Sequence, residues 1–380
     1  MTAPIPRSTS IAHRALPEDA TTRDFVPIVV HVESRKIARR IAPDRSQRVR
    51  RLVQWASLAL NLYLGAQFYL WVRCIETSAH APRVPRPPGI EGWLPIVGLM
   101  NTRYFLGTGR VPEVHPAAMF LFMAFVLSSL VLKRSFCSWI CPIGTVSEWL
   151  WQGGQKLFGH TLRPPRWIDV PLRGLKYLLL GFFVVSVGTM SAAAIGGFMR
   201  TPFGLIADVK LLDFFRDIGW AGIGTLALLA LLSMLVQNFW CRYLCPYGAL
   251  MGVVSLLSPF KIRRDAQACI DCGKCARACP AGLPVSRLTR VRSAECTACM
   301  RCVASCPVAH GLQFAVAPRT APDAARRWRR RVAGPATTAA LLVAVCAGMV
   351  LFAKVSGNWH THVPRPVYAH LIRHAAAWSH

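Results

Sequence analysis

Apolar residues in this chain come in long, nearly unbroken runs. The first spans about 52–72 (LVQWASLALNLYLGAQFYLWV), and four more lie near 116–132, 175–195, 218–240 and 334–353. About 20 apolar residues in a helix cross the ~30 Å hydrocarbon core of a bilayer. The pattern therefore predicts five membrane-spanning helices, the second being the shortest. Tyr69, Trp71, Trp220 and Trp240 sit near run ends, where aromatic side chains favour the membrane surface.

Basic residues sharpen this picture. Segments 1–51, 133–173 and 239–334 hold 33 of the 45 Lys and Arg residues, whereas 74–115, 197–219 and 356–380 hold 9. Under the positive-inside rule the first group is cytoplasmic and the C-terminus is outside. The expected chain crosses its membrane several times, with the N-terminus inside. The net charge of +28 is then a consequence of topology. It does not call for nucleic acid as a partner, which would need a soluble basic face. The partner implied by the runs and their charges is membrane lipid. About fifty polar, basic residues precede the first apolar run, so no signal peptide is expected.

Candidate chemistry rests on cysteine. Twelve of the 14 cysteines fall into spaced motifs, which reads as metal binding in a reducing compartment. Cys269-x2-Cys272-x2-Cys275-x3-Cys279-Pro280 recurs as Cys296-x2-Cys299-x2-Cys302-x3-Cys306-Pro307. This is the spacing of two-cluster ferredoxins, in which the fourth cysteine of each run serves the other cluster. One [4Fe-4S] cluster is thus expected on Cys269, Cys272, Cys275 and Cys306. A second is expected on Cys296, Cys299, Cys302 and Cys279. Zinc ribbons pair C-x2-C units at longer separation and do not need the third cysteine or the proline. Gly273, Ala276 and Ala298 are small enough to let backbone amides approach the sulfurs. Arg277, Arg287, Arg290, Arg292 and Arg301 surround these motifs and would favour reduced clusters, although the inside-positive bias accounts for most of them.

An internal repeat supplies a second set of thiols. Residues 126–150 (VLSSLVLKRSFCSWICPIGTVSEWL) and 231–253 (LLSMLVQNFWCRYLCPYGALMGV) share an apolar run that ends in aromatic-Cys-x3-Cys-Pro-x-Gly. Cys137 and Cys141, and likewise Cys241 and Cys245, are four apart. On a continuous helix that spacing places both thiols on one face. Packed about a pseudo-two-fold axis, the four would converge into a third redox or metal site.

The expected fold is mainly α: a polytopic helical bundle of about five spans with an internal two-fold repeat, carrying an inserted α+β two-cluster ferredoxin domain. The expected organisation is a basic cytoplasmic tail (1–51), a four-span membrane unit made of two repeats (52–258; repeats 52–153 and 174–258), the ferredoxin domain (259–320), a basic linker (321–333), a fifth span (334–354) and a periplasmic tail containing histidines (355–380).

FCSWICPIG, FWCRYLCPYGAL, CIDCGKCARACP and CTACMRCVASCP follow one another in this order. In them, and in the loop EGWLPIVGLMNTRYFLGTG, residues 50–310 resemble the NapH/NosR/CcoG group of membrane polyferredoxins. The resemblance implies electron transfer from the quinol pool through [4Fe-4S] clusters to a respiratory or reductase partner, with quinol as substrate. Its CcoG side implies an alternative, a maturation factor that reduces metal or thiols for a copper or haem enzyme. Unlike NosR-type members the chain shows no flavin-binding N-terminal domain, and unlike CcoG-type members no immunoglobulin-like C-terminal domain.

Other features read as incidental. His360, His362, His370, His374 and His380 dot the tail, with His370 and His374 spaced i, i+4. Asp208, Asp213 and Glu91 read as solvated loop charges, His80 and His115 as unremarkable loop residues, and Cys74 and Cys346 as packing residues.

Overall fold

A computed structural model describes residues 46–77, 84–309, 311–316 and 332–377. Most of the basic tail, most of the 321–333 linker, His80 and His380 lie outside these. Helix α1 (Ser46–Thr77) starts ahead of the apolar run and leads through a 3-10 turn at Pro88–Trp93 to α2 (Pro95–Thr108) and α3 (Pro116–Leu132). One turn of helix, α4 (Phe136–Trp139), precedes α5 (Pro142–Phe158) and α6 (Arg166–Thr189). Short helices α7 (Ala192–Met199) and α8 (Pro202–Leu205) lead to α9 (Ala207–Arg216) and α10 (Trp220–Leu235). A π-helical turn, Trp240–Leu244, precedes α11 (Pro246–Val254). An inserted unit with the single-turn helices α12 (Lys274–Arg277) and α13 (Arg301–Ala304) follows, and the chain continues through α14 (Pro335–Val355) to α15 (Arg365–Arg373).

By length and composition, two described helices can cross a membrane, Trp167–Thr189 and Pro335–Val355. A third possibility is the pair α9 and α10, bent by 86°. Helix α3 is apolar but shorter, 17 residues or about 25 Å. Helix α1 has 32 residues, but Gln54, Asn61 and Gln67 interrupt its apolar run. The run read as 218–240 is not one helix: α10 stops at Leu235. Val236 bridges to Leu162, and Asn238 takes a left-handed φ of 55°.

The inserted unit is small and α+β. Strand β1 (Phe260–Arg264) pairs antiparallel with β2 (Leu312–Val316), Ile262 opposite Phe314. Between them lie two single-turn helices, α12 (Lys274–Arg277) and α13 (Arg301–Ala304). Its core of Ile262, Val291, Met300, Leu312 and Phe314 includes Cys275 and Cys302 and continues into Leu132, Trp139 and Leu342 of the helical unit.

The two groups of segments separated by their basic content gather at opposite ends of α3. At its C-terminal end, Lys133 Nζ donates to Ser293 O and Trp139 Nε1 to Ala298 O, so the 133–173 and 239–334 segments meet. At its N-terminal end, Arg86, Glu91, His115, Asp208 and Thr361 join the 74–115, 197–219 and 356–380 segments.

Candidate iron–sulfur relay

The two ferredoxin-type runs fold alike. In each, the residues flanking the second cysteine are left-handed: Asp271 (φ 48°) and Gly273 (φ 67°) in the first, Ala298 (φ 50°) and Met300 (φ 57°) in the second. A single helical turn then carries the third cysteine. Left-handed residues beside right-handed ones turn consecutive N–H groups into one concavity, a nest that suits an anion. Non-glycine residues seldom accept such backbone, so three of the four positions are held there by the surrounding structure.

Cys269, Cys272, Cys275 and Cys306 line one cavity, with Arg264, Ile270 and Gly311. A side chain at Gly311 would press on Cys306 Sγ, since its Cβ would lie 3.2 Å away. Cys302 lies within electrostatic reach of Cys299, Cys296 and Cys279, and across to Cys275. Burial, then Cys299, pushes the Cys279 thiol up to about 12. A bound metal reverses such a preference, because a coordinating thiol is deprotonated outright. Among the described residues no three His, Cys, Asp or Glu side chains close on a point fit for a single metal ion. The first four thiols are instead spread round a cavity, and a four-iron cube needs its thiolates held apart. Four thiols round one cavity and a nest of amides beside them fit such a cluster.

The repeated Cys-x3-Cys-Pro segments do not form the continuous helix expected from their spacing. A residue before proline is driven out of the α region. Cys141 (φ −60°, ψ 120°) and Cys245 (φ −75°, ψ 104°) are accordingly extended, and Pro142 and Pro246 open new helices. Cys137 and Cys241 lie in the preceding single turns. The thiols of a pair therefore do not share a helix face. The four still gather: Cys241 is within electrostatic reach of Cys245, Cys141 and Cys137. Pro142 has no N–H for the carbonyl of Ser138, and α1 supplies the missing donors, Gln54 Nε2 at 3.0 Å and Arg50 Nη1 at 3.2 Å. Ser57 Oγ donates to Ile140 O at 2.6 Å. The polar interruptions in the first apolar run thus serve the backbone break at the cysteines.

A polar cavity joins this set to the second ferredoxin run. Cys137 and Cys241 line it from one side and Cys299 from the other, with Arg134, Glu148, Trp151 and Arg301. Arg134 Nε lies 3.4 Å from Cys137 Sγ, and its Nη2 donates to Cys241 O at 3.3 Å. Glu148 accepts from Arg50 at 2.6 Å and Arg301 at 2.9 Å. Glu295 accepts from Lys176 at 2.6 Å and Tyr177 at 3.1 Å. Apart from Arg301, sequence reasoning gave these charges no role. Their signal is faint: Arg134 and Arg242 sit beside the repeated cysteines, but nothing in the chain names their partners.

The far end of α3 holds a second network that the sequence reading took for solvated loop charge. Glu91, His115 and Asp208 are buried. Arg86 pairs with Glu91 at 2.8 Å and Asp208 at 2.6 Å, and His115 Nδ1 lies 3.2 Å from Glu91 Oε1. Ala118 N and Thr361 Oγ1 also donate to Glu91, at 3.1 and 2.9 Å. Burial alone would raise the Glu91 carboxyl, but Arg86 and His115 more than reverse this and hold it at about 2. Asp213 lies at the surface 3.4 Å from Arg216. His370 and His374 are exposed on α15, their rings 4.6 Å apart, and His374 Nδ1 is 2.9 Å from His370 O. His360 and His362 are also exposed, and Cys74 and Cys346 are half-buried.

Comparison with known proteins agrees with this geometry. A "4Fe-4S binding domain" family model matches twice, at 114–161 and 218–265, each match enclosing one Cys-x3-Cys-Pro segment. A "4Fe-4S dicluster domain" model matches 261–307. YccM of Escherichia coli (strain K12), provisionally named an electron transport protein, is 49% identical over 87% of this chain and 91% of its own length. The chain belongs to this family of ferredoxin-type membrane electron-transport proteins. More distant members include the ferredoxin-type protein NapH of Escherichia coli (strain K12), 28% identical over 68% of this chain and 85% of its own. The regulatory protein NosR of Pseudomonas aeruginosa is 28% identical over 48% of this chain and 25% of its own. No solved structure matches the chain. Iron–sulfur chemistry and electron transport are thus established for this family member, on a mainly helical frame with apolar helices.

Proposed function

We propose that the chain oxidises quinol at the membrane and relays the electrons, one at a time, along three sets of thiols to a protein acceptor. The sets are Cys137, Cys141, Cys241 and Cys245; then Cys279, Cys296, Cys299 and Cys302; then Cys269, Cys272, Cys275 and Cys306. When bound there, [4Fe-4S] clusters supply the one-electron steps. The observation that carries this reading is continuity. The polar cavity shared by Cys137, Cys241 and Cys299 links the first set to the second, and the Cys302–Cys275 neighbourhood links the second to the third.

The protein's own part is positional. The backbone breaks before Pro142 and Pro246 bring four thiols together at the end of the apolar helices. Arg134, held by Glu295, keeps positive charge among them, and the nests present N–H groups to the ferredoxin sets. Loop charge supports a placement of all twelve cysteines on the cytoplasmic side of a bacterial inner membrane, with four spans in two repeats and a fifth span after the ferredoxin unit.

The test is to add menaquinol or ubiquinol analogues to the purified, cluster-loaded protein under anaerobic conditions. A quinol gives up two electrons and two protons. Cluster reduction followed by EPR is expected to rise with quinol added, at two electrons per quinol. If no quinol reduces any cluster, quinol is not the donor.

A further inference from the structure

Among the described residues, two buried cations within electrostatic reach of Cys296, in the second ferredoxin set, have no carboxylate to answer them. Arg50 and Arg301 share Glu148, and Lys176 and Arg134 share Glu295. Lys133 (0% exposed) and Lys261 (6% exposed) meet no carboxylate among the described residues. Lys133 Nζ donates to Ser293 O at 3.0 Å, the same oxygen that accepts the N–H of Cys296 at 3.3 Å. Lys261 Nζ donates to Ser255 O and Leu256 O at 2.8 and 2.9 Å, at the end of α11. A buried charge left without an opposite charge is strongly unfavourable.

The backbone shows that this placement is imposed. Lys133 adopts φ 59°, ψ −167° directly after α3. That region is essentially reserved for glycine, and a residue stays there only where its surroundings over-determine it. A glycine at 133 would remove the strain and the ammonium together.

We infer that Lys133 and Lys261 are the counter-charge of a cluster held by Cys279, Cys296, Cys299 and Cys302, positioned to favour its reduced state. This rests on the ligand sets given under Proposed function. A cube of four irons on four thiolates is an anion, and reduction deepens its charge by one. Fixed ammonium groups in a poorly screened site stabilise the added electron and raise that cluster's potential. The first ferredoxin set is placed differently: Cys269 Sγ lies 3.5 Å from the carboxylate of Asp271, and Arg264 is answered by that same Asp271. The two lysines therefore act on one cluster. A purely structural role, with Lys261 capping the last carbonyls of α11, would affect stability and leave potentials alone.

The test is a potentiometric EPR titration of the full-length, cluster-loaded protein as wild type, Lys133→Met, Lys261→Met and the double variant. At the wild-type midpoint of the affected cluster, its reduced fraction is expected to fall severalfold in each single variant and further in the double. The other ferredoxin cluster should titrate as before, and Lys133→Arg and Lys261→Arg should restore the wild-type curve. Lys261→Met leaves the β1 backbone pairing intact and carries the test by itself if Lys133→Met does not fold. Loaded variants with unchanged midpoints, or with equal shifts of both clusters, overturn the inference. A wild type that shows no two-cluster signal overturns the ligand sets instead.

Discussion

Replacing Cys302 with serine is expected to remove about four irons per chain, one of the two ferredoxin-type EPR signals, and the folded state of the ferredoxin unit. Cys302 is buried in the core with Ile262, Val291, Met300 and Phe314, and its thiol faces Cys296, Cys299 and Cys279. The unit has a single two-stranded sheet and two one-turn helices. That is too little secondary structure to stand by itself. Metal binding is therefore much of its folding energy, as in other small metal-dependent units. Serine keeps the volume but is a poor iron ligand, and its hydroxyl would be buried without a partner. Iron analysis, EPR and limited proteolysis check this. Full iron content in a protease-resistant Cys302→Ser protein would remove Cys302 from the ligand set.

Arg86→Ala should be the most destabilising single change at the other end of the molecule, by about 3–5 kcal/mol. It would leave Glu91 and Asp208, both buried, without their shared guanidinium, and Glu91 would keep only His115, Thr361 and the Ala118 N–H. The same network sets an acid limit. Glu91 is held at about 2 against an ordinary 4.5. Its folded-state pKa is depressed, so its contribution is complete above about 4.5 and is lost as pH falls toward 2. The amount is on the order of 3 kcal/mol. Apparent melting temperature in detergent should drop steeply below pH 4.5 in the wild type and less steeply in Glu91→Gln. Identical acid profiles would show that Glu91 is not the titrating group.

The parts of this protein set by local chemistry could be read from its sequence. The α3 boundaries match its apolar run because Pro116 opens the helix and Lys133 and Arg134 close it. The two ferredoxin-type runs share one spacing, and they fold alike. Other features depend on contacts between distant segments and left little trace. Two consecutive residues set the shape of each Cys-x3-Cys-Pro segment: the spacing suggested both thiols on one helix face, but the proline drives the preceding cysteine out of the helix. Gln54 and Ser57 lie inside an apolar run, and only the folded chain shows that they bind the carbonyls of Ser138 and Ile140. Glu91 and Asp208 looked like ordinary loop acids because Arg86 is 122 residues from Asp208, and no local pattern joins them. Lys133 passed as one more inside-positive charge, since its burial and its backbone strain exist only in the folded chain.

The claim at the centre of this account is that four-iron clusters occupy three sets of four thiols, the third built from the two repeats. The direct measurement is the iron and acid-labile sulfide content of anaerobically purified protein. It should be compared with a variant in which Cys137, Cys141, Cys241 and Cys245 are all serine. The account predicts about twelve irons and twelve sulfides per chain, falling to about eight of each in the variant. About eight in both proteins would contradict it, leaving the relay confined to the ferredoxin unit.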